Sequence, residues 1–292
     1  MIKKLNRTVF IAGMVSLLAS TSIAEEKKIT WMGCGISKKA FMEAITKAYT
    51  AKTGIEFRMA GGGATKGIRL TAGGKANIGG TCRHLLRGDN KEVVPEENNV
   101  NLVHVAWDAL VAITNKDNPI DNISSVKLKA LFEGKTQKWT DSDSKGDVVL
   151  CGRKGNISGV GYMFRVMVMK DENFAFPKGT KLFASSGPLE KSIEKRFKTG
   201  LGITGISSAK KRNLKILAID GQAPTKENVA NGNYPYFRPL YMAMPASPDK
   251  NTQDLLDFIL SDEGQQIISN EGTVNLKEGA VLSEKWTVSK LK

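Results

Sequence analysis

Short apolar runs alternate along this chain with glycine-bearing loops and with segments whose apolar residues recur at helical spacing. Ile29 to Met32 is apolar, Gly33-Cys34-Gly35 interrupts it, and Phe41, Ile45, Ala48 and Tyr49 then share one helical face that ends at Gly54. This predicts strand, glycine turn, helix. Ile55 to Met59 alternates as a second strand, Gly61 to Gly67 leads into a short helix through Leu70, and Ala76 to Gly79 is a third strand that runs into Thr81-Cys82-Arg83. Leu102 to Thr114 predicts a long apolar strand, followed by a helix carrying Val126, Leu128, Leu131 and Phe132 on one face. A second series begins with a strand over Asp147 to Cys151, a loop from Gly152 to Gly161 and helices over Tyr162 to Met169 and Pro188 to Phe197. Strands over Leu214 to Ile219 and Pro239 to Met244 and an amphipathic helix over Leu255 to Ile268 complete it. Repeated strand, loop and helix predict an α/β fold of doubly wound sheets flanked by helices. With no Gly/Ser linker between the two series, the chain should cross between two lobes on extended segments and leave a cleft.

The first residues stand outside this pattern. Lys3, Lys4 and Arg7 precede an apolar run from Val9 to Leu18, with Ser22 and Ala24 after it, the order of a secretory signal cleaved after Ala24. No cysteine lies near that point, so lipid attachment there is not expected, and periplasmic localisation is. The 292 residues are 41% hydrophobic and 25% charged, which excludes disordered, collagenous and coiled-coil classes. The formal charge is +14, and removing the three basic signal residues leaves the chain basic, so anionic partners come first. Lysine pairs such as Lys27-Lys28 and Lys210-Lys211 are scattered as on a solvated surface, and no zinc-finger, RNP or basic-zipper pattern accompanies them. A nucleic-acid partner is therefore not expected.

Three loops, Gly33 to Ser37, Gly61 to Gly67 and Asn156 to Gly161, place small residues and hydroxyls immediately before a helix. Glycine lets backbone approach a ligand, and helix starts offer unpaired N–H groups with partial positive charge; together they suit an oxyanion. A nucleotide P-loop fits poorly, because Gly74-Lys75 is followed by Ala76 where a magnesium-binding hydroxyl is needed. Two histidines leave little room for metal or triad chemistry, and no nucleophile stands beside a base at diagnostic spacing, so no enzyme is indicated. His104, in an apolar strand, reads as structural, His84 as near the cleft mouth. The methionines Met59, Met163, Met167 and Met169 read as core, while Trp31, Tyr162 and Tyr234 suit a core or a cleft equally.

Several stretches carry a family resemblance: Asp108 to Pro119, Leu128 to Trp139 with Phe132-Glu-Gly-Lys, Tyr234-Pro-Tyr-Phe-Arg-Pro-Leu-Tyr241, and Phe258 to Ile267. From about Ile29 to Leu276 the chain resembles type II periplasmic solute-binding proteins, specifically the phosphate-binding component of the high-affinity phosphate ABC transporter. Beyond the signal expected at 1–24, the resemblance implies a first lobe from 25–107 plus 240–292, a second from 108–239, and crossovers near Val105 to Leu110 and Arg238 to Met242. It implies no cofactor, an inner-membrane ABC permease as partner, hinge closure of a monomer on its ligand, and phosphate or a related oxyanion as that ligand.

Carried over residue by residue, the resemblance places Ser37 and the Lys38 N–H at the first loop, Arg153 at the cleft arginine, and Ser158-Gly159 at the Ser-Gly pair. Arg83 is also kept. Ala64 stands where the second loop has a hydroxyl, with Thr65 beside it as a substitute; Val160 stands for a threonine and Gly161 for an arginine. Cys82 replaces an aspartate or serine. Each missing hydrogen bond to a desolvated oxyanion costs about 1–3 kcal/mol, so these changes bear on which oxyanion is held. The three cysteines, Cys34, Cys82 and Cys151, are placed by the resemblance around the cleft. They read as inert buried residues, as a Cys34–Cys82 disulfide between neighbouring strands with Cys151 unpaired, or as a set for a thiophilic metal or arsenite. The last would make the protein a sensor or scavenger of a soft ligand.

Overall fold

The computed structural model describes residues 28–140, 146–155 and 157–286, so the signal expected at 1–24 lies outside the described residues. The chain opens with β1 (Lys28–Gly33) and a helical run made of α1 (Gly35–Ser37), a π-helical turn (Lys38–Met42) and α2 (Glu43–Thr53). Gly54 stops it in the left-handed region at φ 73°, the role glycine takes at a helix end. β2 (Glu56–Gly61), α3 (Ala64–Ala72) and β3 (Ile78–Thr81) follow, β1 lying between β2 and β3 in parallel. α3 sits close on these strands because its Gly67 faces Gly79 and Gly80 directly, leaving no room for side chains between them.

The long strand β4 (Val100–Asn115) joins the two halves of the sheet. Its first part, to Ala109, pairs antiparallel with β11 (Phe237–Pro245), which also pairs with β3; from Leu110 onward it pairs with β8 (Gly200–Gly205). β8 lies beside β6 (Val149–Arg153), and β6 beside β7 (Lys181–Phe183), both in parallel, giving the order β2-β1-β3-β11-β4-β8-β6-β7. β5 (Asn122–Ile123) and β10 (Ala218–Ile219) form a small separate pair, and β9 (Leu214–Ile216) joins the end of β4. Helices α4 (Ser125–Phe132), α5 (Gly159–Phe164), α6 (Ser186–Lys195), α7 (Ile206–Ala209) and α8 (Lys226–Ala230) belong to the second half. α9 (Lys250–Leu260), α10 (Asp262–Asn270) and α11 (Ala280–Lys285) follow β11. The architecture is the expected two-lobed α/β fold, although each half is mixed rather than wholly parallel, because β4 and β11 run against their neighbours.

The hydrophobic pattern misplaces some elements. β7 and β8 were not anticipated, and β8, Gly-Leu-Gly-Ile-Thr-Gly, reads as a loop. Its glycines are packing positions: a Cβ on Gly202 would stand 2.7 Å from Leu189 and 2.8 Å from Ile193 of α6. The single strand expected over Leu214 to Ile219 is two short ones. The helix expected over Leu255 to Ile268 breaks at Ser261, whose extended backbone and hydroxyl, accepting from the Gly264 N–H at 3.2 Å, start a new helix.

At the crossover between halves lies a buried ion pair. Arg238 of β11 donates from Nη2 and Nε to Asp108 Oδ2 at 2.8 and 3.2 Å, and Ser207 Oγ donates to Oδ1 at 2.8 Å. Leaving one such charge unpaired costs about 3–5 kcal/mol, so the pair ties β4, β11 and α7 together where the lobes meet.

Candidate functional site

Four helix starts converge on one cavity of about 680 Å³ between the halves. Gly35 and Ile36 bring the first helix, Gly63 to Thr65 bring α3, Ser158 to Val160 bring α5, and Ser185 to Gly187 bring α6. Gly63, at φ 94°, turns the chain into α3 in a conformation that disfavours side chains. Converging N–H groups and helix dipoles make such a cavity receptive to an anion. The charged side chains on its wall are Lys39, Lys154 and Arg153; among the described residues no carboxylate lines it.

Arg153, at the end of β6, is 8% exposed. Nη1 donates to Ser186 Oγ at 2.8 Å and Nη2 to Ala184 O at 2.9 Å, both neutral acceptors from the loop before α6. Among the described residues Nε has no partner and no carboxylate makes an ion pair with the guanidinium. Burial holds its pKa below the usual arginine range, against the opposing influence of Cys82, Cys34 and the Glu190 carboxylate, which is near enough to act on it without an ion pair. By contrast the more deeply buried Arg238 and Arg83 each have a carboxylate, and Arg165, which like Arg153 donates only to neutral acceptors, does not line the cavity. A buried cation with neutral partners is costly until an anion joins it.

The halves touch across the cavity. Thr65 Oγ1 donates to Ile157 O at 2.6 Å and Arg83 Nε to the same oxygen at 3.0 Å; Lys39 Nζ donates to Ser208 Oγ at 3.0 Å, and His84 Nε2 lies 3.2 Å from Tyr162 Oη. Gly159 packs against the opposite wall, where a Cβ would meet Cys82 Sγ at 2.5 Å and Ala64 Cβ at 3.0 Å. This is a closed arrangement.

Of the residues expected at the ligand, Ala64, Thr65, Cys82, Arg153, Ser158, Gly159 and Val160 line the cavity together. Ser158 also caps α5, its Oγ accepting from the Gly161 N–H at 3.1 Å. Three others lie off the cavity wall. Ser37 is fully buried behind Cys34, its Oγ 3.1 Å from Cys34 Sγ, and it does not reach the cavity wall. The Lys38 N–H donates to Cys34 O at 3.1 Å inside the helical run, so Gly35 and Ile36, one turn earlier, face the cavity instead. Arg83 commits all the N–H donors of a guanidinium, to Ile157 O, His84 O, Thr65 Oγ1 and both oxygens of Glu97, leaving none for a ligand. Its role is to hold Glu97 and the opposite loop.

The thiols separate into two environments. Cys34 and Cys82 both line the cavity and interact side chain to side chain, without a disulfide. Burial pushes the Cys34 thiol up, but hydrogen bonds with Cys82 and Ser37 and the charge of Arg238 outweigh it and bring it down to about 6. Cys82 moves the opposite way, raised by its bond to Cys34 and by burial. Cys151 lies apart, in an apolar pocket with Phe132, Phe164 and Phe176, where burial pushes it up to about 12. The expectation that all three gather at the cleft is thus corrected, and among the described residues no cluster of metal-ligating side chains forms. Trp31 and Tyr234 are core: Trp31 fills the space left by Gly33 and Gly80, and Tyr234 donates to Leu110 O at 3.0 Å.

Sequence reasoning missed Lys39, Lys154 and the Ala184 to Gly187 loop. The loop was legible, since Ala184-Ser185-Ser186-Gly187 has the same form of small residues and hydroxyls before a helix as the three loops singled out. Lys39 was hidden among scattered lysines, because only the fold points it inward.

A two-lobed α/β chain with helix starts and a buried arginine without a carboxylate partner in its cleft has the form of a solute-binding protein. The family model described as PBP superfamily domain matches residues 32–263, and the chain belongs to that superfamily. Phosphate-binding protein PstS of Borreliella burgdorferi is 27% identical over 183 residues, 59% of this chain and 64% of that protein. Its counterpart in Pseudomonas aeruginosa PAO1 is 27% identical over 196 residues, 60% of this chain and 59% of that one. The chain therefore spans about three-fifths of the length of the curated relatives it matches. Among solved structures, a phosphate ABC transporter substrate-binding protein with bound phosphate from Clostridium perfringens superposes with TM-score 0.75. It is 24% identical, with 85% of this chain and 99% of that chain covered. An ABC-type phosphate transport receptor from Vibrio cholerae gives TM-score 0.64 at 21% identity, covering 84% and 99%.

Proposed function

We propose that this protein captures inorganic phosphate, or a closely related tetrahedral oxyanion, in the periplasm and delivers it to an ABC permease of the inner membrane. It acts as a carrier and not as an enzyme, and a single chain suffices for the cycle. The observation that carries the reading is Arg153, a buried cation on a carboxylate-free cavity wall, surrounded by the starts of four helices. The names of the PstS relatives and of the phosphate-bound neighbour support phosphate as the ligand.

In this reading residues 1–24 are removed on export, residues 25–107 with 240–292 form the first lobe, and 108–239 form the second. The change of β4 partner at Leu110, from β11 to β8, supports that division. Hinge motion about β4 and β11 opens the cleft; an anion entering it neutralises Arg153 and lets Thr65, Arg83 and Lys39 bond across the gap. The soft-ligand reading is not favoured, because Cys151 is separated from the other two thiols.

Equilibrium dialysis with labelled phosphate tests the site. Arg153→Gln removes the charge and should lower affinity about a hundredfold, as loss of a charge-assisted contact of up to about 3 kcal/mol requires. Unchanged affinity in a folded variant would remove Arg153 from the site.

A further inference from the structure

Two thiols on the cavity wall have no part in the capture described above. Cys34 follows the last residue of β1 and Cys82 the last residue of β3, and these strands are parallel neighbours with Gly33 level with Gly80. The Cys34 N–H continues the ladder by donating to Gly80 O at 2.9 Å. Both side chains therefore leave adjacent strand ends toward the same cavity, where they interact. Their exposures are 4% and 1%, yet part of that cover comes from the other lobe: Gly159 of α5 leaves no room for a methyl group against Cys82 Sγ.

We propose that Cys34 and Cys82 form a reversible dithiol–disulfide pair, reachable by a disulfide compound while the lobes are apart and shielded when they close on an anion. The shielding rests on the capture reading; the pairing does not.

Cys34 is the attacking thiol. It stands at a helix start with the Ser37 N–H 3.3 Å and the Ser37 hydroxyl 3.1 Å from its sulfur, and with the Arg238 charge nearby, the setting that favours thiolate. Its thiolate attacks one sulfur of a disulfide R–S–S–R, forming a mixed disulfide and expelling RS⁻, which takes up a proton. Cys82 gives up its proton and attacks the Cys34 sulfur, expelling the second RS⁻, which is protonated in turn. Two protein thiols lose two electrons, and one R–S–S–R becomes two RSH. Cys151, enclosed among phenylalanine rings, serves as an internal reference that should not react.

The test uses the full mature chain, reduced and freed of reductant, incubated with glutathione disulfide with and without inorganic phosphate, then alkylated and digested for peptide mass spectrometry. The expected product is a Cys34–Cys82 crosslinked peptide pair, with Cys151 found only as its alkylated form. At phosphate a hundred times its Kd, crosslinking should slow by about a hundredfold, because the open population falls in that proportion. Persistent glutathione on either thiol, or no crosslink at all, overturns the pairing. Equal rates with and without phosphate in protein shown by dialysis to bind it overturn the shielding. Crosslinking in protein that binds no phosphate upholds the pair and overturns the capture reading instead.

Discussion

At the scale of single residues, the site is governed by which buried charges have partners. Arg238 has Asp108 and Arg83 has Glu97, so each is structural; Arg153 has only a hydroxyl and a carbonyl and faces the cavity, which is why the proposed reading puts the anion there. Cys34 makes a related point that stability measurements can read. Its thiol, ordinarily near 9, is brought down to about 6 in the folded protein, so between those values the unfolded chain binds the proton and the folded chain does not. The stabilisation is complete above about 9 and is lost as pH falls toward about 6. Cys82 and Cys151, both raised above their ordinary value near 9, keep their protons in the folded chain while the unfolded chain begins to lose them near 9, an opposing slope confined to the top of that window. Thermal unfolding of reduced protein between about pH 8 and 6, below the range where Cys82 and Cys151 oppose it, should show falling stability in wild type and a flatter profile in Cys34→Ser. Matching profiles would mean that the Cys34 thiol is not held as thiolate.

At the scale of elements, the helix starts matter more than the helices. Gly159 begins α5 and faces Cys82 and Ala64 of the opposite lobe with no space for a methyl group. Gly159→Ala should therefore penalise the closed form: overpacking of about 1–3 kcal/mol corresponds to phosphate binding weakened by about tenfold to a hundredfold. If the lobes part without ligand, as proposed, the ligand-free variant should unfold in urea nearly as wild type does; calorimetry and urea titration together check both halves. These starts were largely legible in the sequence, because glycine and hydroxyl residues before an apolar periodic run are a local signal. So were β1 to β4, whose apolar runs are bounded by turn residues. β8 was not, since its glycines serve packing by Leu189 and Ile193 from a helix earlier in the chain. Three placements were not legible, each for its own reason: Ser37 sits behind Cys34, the Lys38 N–H is used inside the helical run, and Arg83 is held by Glu97. Position in a motif does not reveal that a neighbour 14 residues on, such as Glu97, has already claimed a side chain.

At the scale of the molecule, β4 and β11 cross from one half of the sheet to the other, with the Asp108–Arg238 pair buried between them. The cavity, Arg153 and the contacts across it all lie on the line where the halves meet, so in the proposed cycle capture and closure are one event. The thiol pair lies on the same line, which makes its exposure a report of lobe position. Calorimetric titration of inorganic phosphate into acid-stripped, reduced wild-type protein tests this account most directly. The predicted result is one phosphate bound per chain, with a Kd of about 1 μM or lower, corresponding to about −8 kcal/mol or better. No binding heat at any accessible phosphate concentration, in protein that remains folded, would contradict it.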